Sequence, residues 1–163
     1  IRAAGQAGPS AVDRIVAFCA RLYPGWDGES VDARLERFGI ARGRRFGELS
    51  RGQRGLVSLA LALGHRPRLL ILDDPTLGFD VVARATFYEE LIDELAARGV
   101  TVFLTSHDLA DVERVADRIG ILHGGRLIAE GTPEALTGRD GSDSFRTLEE
   151  LLRERTATVQ EVA

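Results

Sequence analysis

Residues 68–75 read Arg68-Leu69-Leu70-Ile71-Leu72-Asp73-Asp74-Pro75. The run from Arg68 to Leu72 has the length of a strand, and its continuous apolar character is typical of a strand buried on both faces of a parallel sheet. The two carboxylates that follow it then lie at the carboxyl end of the strand, where α/β folds place their ligands. This stretch predicts an α/β protein with a ligand site beside Asp73 and Asp74.

The chain downstream alternates between helix and strand. A helix is predicted over residues 81–97 and ends before Gly99, and a second buried strand follows at residues 100–104. His107 comes directly after that strand, and this position favours a functional role for the side chain over a structural one. Further elements are predicted in the order helix 109–116, strand 118–122, a Gly124-Gly125 hairpin turn to residues 127–129, and a short helix beginning at Thr132-Pro133.

The chain upstream of the first strand is mostly helical. Residues 1–10 read as loop, and apolar periodicity predicts a helix over residues 11–23. A second helix is predicted to start at Ser30 and to close at Gly39, and a third to run from near Ser50 to Gly64.

The third helix begins in the segment Leu49-Ser50-Arg51-Gly52-Gln53. Ser50 stands at the N-cap, and a small residue follows that lets a ligand approach the backbone. The start of a helix offers unpaired N–H groups and the positive end of the helix dipole. The segment therefore predicts an anion site.

Composition limits the classes of function. The 163 residues contain a single cysteine, Cys19, which excludes an internal disulfide, and no apolar run approaches the roughly 18 residues of a membrane span. Residues 1–54 hold ten Arg against six acidic residues, but no aromatic residues interleave with the arginines. We therefore predict no binding to nucleic acid.

Two residue types are missing from the sequence. Without a Met, the chain is expected to be a piece of a longer protein, and all 21 basic residues are Arg, so there is no Lys. A phosphate-binding loop of the form G-x-x-x-x-G-K-[ST] requires a Lys that reaches the β and γ phosphates. These 163 residues consequently contain no such loop.

The segment at Ser50, the Asp73-Asp74 pair and the run Thr105-Ser106-His107-Asp108 stand in one order at sensible spacings. In this they resemble the ABC ATPases, the nucleotide-binding subunits of ABC transporters. The resemblance implies an ATP-hydrolysing enzyme that uses ATP and Mg²⁺, with a helical subdomain followed by the C-terminal half of a P-loop NTPase-type parallel sheet and its flanking helices. It implies a helical signature subdomain at residues 1–66, half of the ATPase core at 67–138, and a linker with a last helix, residues 148–155, within 139–163.

The resemblance also assigns roles to residues. Ser50, Gly52 and Gln53 match the family's L-S-G-G-Q motif, which binds the γ-phosphate of ATP held by the opposite subunit, while Arg51 replaces its first glycine. Asp73 matches the aspartate that orients Mg²⁺, usually through water.

Further roles follow for three other side chains. Asp74 stands where the family usually has Glu, the general base that polarises the attacking water, and Asp is one methylene shorter. Asp80 matches the end of the D-loop, residues 76–80, which crosses to the partner subunit, and Phe79 departs from the usual Leu. His107 matches the switch histidine that contacts the γ-phosphate. Gln6 is a candidate for the glutamine that contacts Mg²⁺ and faces the membrane subunit.

The resemblance implies two partners, a transmembrane permease and a second nucleotide-binding subunit, and a cytoplasmic place at the inner face of the plasma membrane. Residues 21–26, Arg-Leu-Tyr-Pro-Gly-Trp, resemble the subgroup that pairs with separately encoded exporter-type permeases. This chain alone is expected to be inactive. Two alternatives stay open: an ABC ATPase of chromosome maintenance or translation, and a module that uses ATP only to hold a dimer.

Overall fold

The computed structural model describes residues 11–138 and 147–153. Its helices are α1 (Ala11–Leu22), α2 (Gly28–Arg37), α3 (Arg51–Leu63), α4 (Val81–Arg98), α5 (Leu109–Val115) and α6 (Pro133–Thr137), with residues 148–153 also helical. Its strands are β1 (Leu69–Asp73), β2 (Thr101–Thr105), β3 (Ile119–His123) and β4 (Arg126–Gly131). The chain divides into two compact units, Ile1–Thr105 and Ser106–Ala163. Gln6 lies outside the described residues, as do residues 139–146 of the predicted linker and residues 154–155 of the last predicted helix.

The first unit contains a parallel β-α-β element, as predicted. β1 pairs in parallel with β2, and α4 connects them, with Leu69 opposite Thr101 and Asp73 opposite Thr105. Parallel strands require such a crossover, because a tight turn can only reverse the chain. The α/β class predicted from residues 68–75 is therefore confirmed.

The prediction that β1 and β2 are buried on both faces of the sheet is wrong. Leu70 is buried, but Leu69, Ile71 and Phe103 are 53%, 67% and 63% exposed. Successive side chains of a strand point to opposite faces of the sheet, and among the described residues nothing covers the face that carries Ile71. The continuous apolar run correctly predicted a strand, although the structure buries only one side of it.

β3 does not extend the parallel pair among the described residues. It pairs antiparallel with β4 in a separate two-stranded sheet. The connecting turn is the predicted one, since Gly124 and Gly125 both adopt positive φ angles, 55° and 75°, which only glycine adopts without strain. In the second unit this hairpin packs on α6 and on the helical residues 148–153, through a cluster formed by Ile119, Ile121, Leu136, Leu148 and Leu151.

α2 begins earlier than predicted. Its N-cap is Asp27, whose Oδ1 accepts a hydrogen bond of 3.0 Å from the backbone N–H of Ser30, so Ser30 lies inside the helix. Asp and Ser cap helices about equally well, and the sequence offers both within one turn. The predicted end is confirmed, because Gly39 follows the C-cap with a φ of 65°.

Asp27 also anchors two arginines. Its Oδ2 lies 2.8 Å from Nη2 of Arg66 and 3.6 Å from Nη2 of Arg98. The hydrogen bond from Arg66, followed by that from the Ser30 N–H, holds the pKa of Asp27 below its usual value.

This lowered pKa predicts an acid-sensitive contribution to stability. Because the native state binds the proton of Asp27 more weakly than the unfolded state, the contribution is complete above the usual carboxyl pKa and is lost as the pH falls through the native value. We expect Asp27→Asn to lower the melting temperature at pH 7 and to matter less at acid pH. A melting temperature that differs from the parent by the same amount at pH 7 and pH 3 would contradict this.

α2 and α4 are joined by buried charges. Arg34 lies 2.6 Å from Glu90 and 2.5 Å from Glu94, and all three side chains are almost completely buried. Arg37 also bonds Glu90, and Arg98 lies 3.1 Å from Glu94. The helical part of the first unit is thus fixed to its β-α-β part by ion pairs. The predicted domain boundary after residue 66 stays a prediction.

Membrane-spanning helices are absent from the part of the chain that the structure describes, since none of its helices combines the required length with sufficient apolarity.

Candidate functional site

The carboxyl ends of β1 and β2 bring three polar residues together. Thr105 Oγ1 donates a hydrogen bond of 2.5 Å to Oδ1 of Asp73. The backbone N–H of Asp74 donates to Oγ1 and to the carbonyl oxygen of Thr105, at 3.0 and 3.1 Å. One threonine on β2 therefore binds the side chain of Asp73, at the end of β1, and the backbone of Asp74, which follows it.

Sequence reasoning missed Thr105. Its signal was available, because two parallel strands of equal length that start in register place the last residue of each opposite the other, and here Asp73 pairs with Thr105. Hydroxyl and carboxylate oxygens side by side form a set of hard oxygen donors, which suits Mg²⁺.

Asp74 has an unusual backbone. Its φ of 43° lies in the left-handed region, which is uncommon for residues other than glycine, although Asp and Asn adopt it more readily than most. Strained backbone of this kind persists only where neighbouring structure enforces it, and it clusters at functional sites. Here the hydrogen bonds to Thr105 supply that enforcement, and the strand ends abruptly with Asp74 half-buried at the edge of the sheet.

The loop of residues 76–80 leads from this edge to α4. Thr76 is buried, with its Oγ1 3.4 Å from the hydroxyl oxygen of Tyr88. Asp80 is the N-cap of α4, and its Oδ1 accepts a hydrogen bond of 2.8 Å from the N–H of Ala83. The first and last residues of the loop are therefore both held by α4.

The predicted N-cap of α3 is confirmed, and it is reinforced. Ser50 Oγ accepts a hydrogen bond of 3.1 Å from the N–H of Gln53, and Gln53 Oε1 accepts one of 3.1 Å from the N–H of Ser50. This reciprocal arrangement is a capping box, which fixes the start of the helix. The side chains of Ser50 and Gln53, both predicted to contact phosphate, are therefore each hydrogen-bonded to the backbone N–H of the other residue.

Gly52 has a packing role that the sequence did not reveal. It is buried, and a Cβ atom built on it would lie 2.5 Å from Cβ of Ala83 on α4. The small residue in this motif thus allows α3 and α4 to approach closely.

The site residues are divided between the two units. Ser50, Gly52, Gln53, Asp73, Asp74 and Asp80 belong to the first unit, and His107 belongs to the second. His107 is exposed and lies two residues beyond the end of β2, and its predicted role stays a prediction. In the described ranges no three His, Cys, Asp or Glu side chains group as a metal site.

Comparison with known proteins identifies relatives of this chain. The family model described as "AAA domain, putative AbiEii toxin, Type IV TA system" matches residues 13–111. The ABC transporter ATP-binding protein YtrB of Bacillus subtilis is 36% identical over 114 residues, covering 70% of this chain and 39% of that protein. The Nod factor export ATP-binding protein I of Rhizobium sp. (strain N33) is 46% identical over 104 residues, covering 64% and 33%. The chain spans only about a third to two fifths of these relatives.

Solved structures give the same result. The chain superposes with a TM-score of 0.74 and 26% identity on the ATP-binding subunit of an ABC transporter, over 94% of this chain and 65% of that one. It superposes with a TM-score of 0.66 and 28% identity on cbiO1 from Clostridium perfringens, part of the ABC transporter complex cbiONQ, over 83% and 56%.

Proposed function

The chain belongs to the AAA-type ATPase domains, as part of an ABC nucleotide-binding domain, and on this basis we propose that the intact protein hydrolyses ATP to power a membrane permease. The observation that carries this proposal is the arrangement of Asp73, Asp74 and Thr105 at the carboxyl edge of a parallel strand pair. Such an edge is where open α/β sheets bind ligands. The names of the relatives, which include exporter subunits, favour a transporter, placed at the cytoplasmic face of its membrane.

Within the site, Asp73 and Thr105 would hold Mg²⁺, which neutralises phosphate charge when bound. Asp74 is the general base of this proposal, and its backbone is fixed by hydrogen bonds to Thr105. His107 would contact a γ-phosphate.

The start of α3 serves a second ATP molecule. The helix start formed by Ser50, Gly52 and Gln53 presents the positive end of the helix dipole to the γ-phosphate of ATP bound by an opposing subunit. Asp80, at the end of the loop of residues 76–80, faces the same subunit. Two copies of the intact protein therefore close around two ATP molecules, and hydrolysis releases them.

Turnover measurements on the intact protein test this function. We expect Mg²⁺-dependent ATP hydrolysis that increases when the protein is reconstituted with its permease in lipid vesicles. ATP-dependent dimerisation without hydrolysis would contradict the proposal and indicate a module that uses ATP only to hold a dimer. The side chain of Asp74, which is shorter than the family's usual Glu, favours this alternative. Stimulation by nucleic acid and not by the permease would instead indicate a chromosome or translation factor.

The 163-residue chain alone should bind ATP poorly. Its anion site is a helix start, and a charge near an exposed helix end is worth ~0.3–1 kcal/mol, whereas a micromolar complex needs roughly −8 kcal/mol. Calorimetric titration with Mg-ATP should detect no binding below the millimolar range and no hydrolysis, with the intact protein as the positive control. A micromolar dissociation constant for this chain would contradict the proposal that most of the contacts to ATP are made by other parts of the protein.

A further inference from the structure

α3 has two glycines on one face, Gly52 and Gly55, and the second of them lies under an aromatic ring. A Cβ atom built on Gly55 would overlap Cζ of Phe79 and lie 2.8 Å from its Cε1. The ring therefore occupies the space that any side chain at residue 55 would need. Glycine is unfavourable in the interior of a helix, and the position of Phe79 gives a reason for one here.

The other side of the ring contacts α4. Phe79 meets Phe87 edge to face, with the ring centroids 5.9 Å apart, and Phe87 meets Tyr88 in the same way at 5.7 Å. The Tyr88 hydroxyl oxygen in turn lies 3.4 Å from Oγ1 of Thr76, at the start of the same loop. Aromatic pairs prefer this edge-to-face geometry. The ring of Phe79 therefore packs against α3 on one side and against Phe87 of α4 on the other.

The backbone of the same loop contacts α3 a second time. Gly78 has a φ of 74°, and a Cβ atom built on it would lie 2.8 Å from Nη1 and 3.1 Å from Cδ of Arg51. Arg51 and Phe79 both depart from the motifs of the ABC family, as Asp74 also does. The departures at Arg51 and Phe79 fall in one contact, between the start of α3 and the loop of residues 76–80.

We propose that Phe79 is a positioning residue that, seated over Gly55, fixes the loop of residues 76–80 to the start of α3. The phosphate-binding residues Ser50 and Gln53 and the loop residue Asp80 then form one rigid surface towards the opposing subunit. This inference rests on the proposed function, because it assigns the surface to the shared ATP site. It predicts that a larger side chain at position 55 is tolerated only if the side chain at position 79 becomes smaller.

The test is a double-mutant cycle in the intact protein, using Gly55→Ala, Phe79→Leu and the double variant. Gly55→Ala adds a methyl group that displaces the ring, and misplacement by about 1 Å can lower catalysis ~100-fold. We expect kcat for ATP hydrolysis to fall roughly 10- to 100-fold while KM for ATP changes less than about threefold, because the ATP site of the same subunit is untouched. Phe79→Leu replaces the ring with a smaller side chain and so makes room for the methyl group that Gly55→Ala adds. The kcat of the double variant should therefore recover to within about threefold of the parent value.

Gly47→Ala is the matched control, because a Cβ atom built on Gly47 has nothing within 4 Å. It should leave kcat unchanged. Equal activity of Gly55→Ala and Gly47→Ala, or a double variant no more active than Gly55→Ala, would overturn the proposal. If Gly55→Ala does not fold, Phe79→Ala replaces it, since it removes the ring without a clash, and parent kcat in that variant would equally overturn the proposal.

Melting temperatures separate this inference from the proposed function. Overpacking at residue 55 should lower the melting temperature of the intact protein by roughly 5 °C, and Phe79→Leu should restore it. If the parent shows no ATP hydrolysis, the proposed function fails, and the same cycle in melting temperature still reports whether the two residues depend on each other. Coupling in melting temperature with no coupling in kcat would show that the contact is structural only, and the positioning role would be rejected.

Discussion

Asp74→Asn in the intact protein should lower the rate of ATP hydrolysis by about 10²- to 10⁴-fold, the usual contribution of general-base catalysis. The amide has almost the same shape as the carboxylate but cannot polarise water by accepting its proton. The backbone N–H of Asp74 makes the hydrogen bonds to Thr105, so the substitution leaves them in place. Asp73, with its own hydrogen bond from Thr105, is also unchanged. ATP binding should therefore persist, and the ATP-bound dimer should accumulate.

The rate is measured as phosphate release by the intact protein, and dimerisation by light scattering with Mg-ATP. Asp74→Glu is the matched control, because it keeps the carboxylate and adds the methylene group that the family usually has. Its activity should equal or exceed that of the parent. If Asp74→Asn hydrolyses ATP at the parent rate, Asp74 is not the base, and His107 becomes the stronger candidate for organising the water.

Local features of the fold could be predicted from the sequence. The apolar runs predicted β1 and β2, the Gly124-Gly125 pair predicted the hairpin turn, and Ser50 predicted the start of α3. Each of these depends on residues within a few positions of one another, where propensity and periodicity act. The motifs at Ser50, Asp73 and His107 could be found for the same reason.

Contacts between distant residues could not be predicted in this way. Arg34 and Glu90 are separated by 56 positions, and no periodicity relates them. The ring of Phe79 over Gly55 likewise depends on how α3 crosses α4, which a single sequence does not specify. The exposure of Ile71 depends on what packs on the sheet, and a run of apolar residues cannot report that. The roles of the predicted site residues stay predictions, Thr105 was missed, and the hydrogen bonds that hold Asp73, Asp74 and Asp80 in position come from the structure alone.

The buried ion pairs between α2 and α4 should contribute strongly to stability, and Arg34→Met is the variant that exposes this. The substitution keeps a long flexible side chain but leaves Glu90 and Glu94 buried with less compensating charge. Removing one partner of a buried ion pair typically costs about 3–5 kcal/mol. Denaturant unfolding of the intact protein should show a loss of that size in the free energy of unfolding.

Arg118→Met is the matched control for this loss, because Arg118 lies 2.8 Å from Glu130 in a pair whose side chains are both more than half exposed. Such surface pairs contribute about 0–1 kcal/mol, so the same substitution there should have little effect. Adding Glu90→Gln and Glu94→Gln to Arg34→Met should recover part of the stability, since the buried charges are then removed and not merely left unpaired. If Arg34→Met costs no more than Arg118→Met, Arg37 and Arg98 compensate the two glutamates on their own, and Arg34 does not fix α2 to α4.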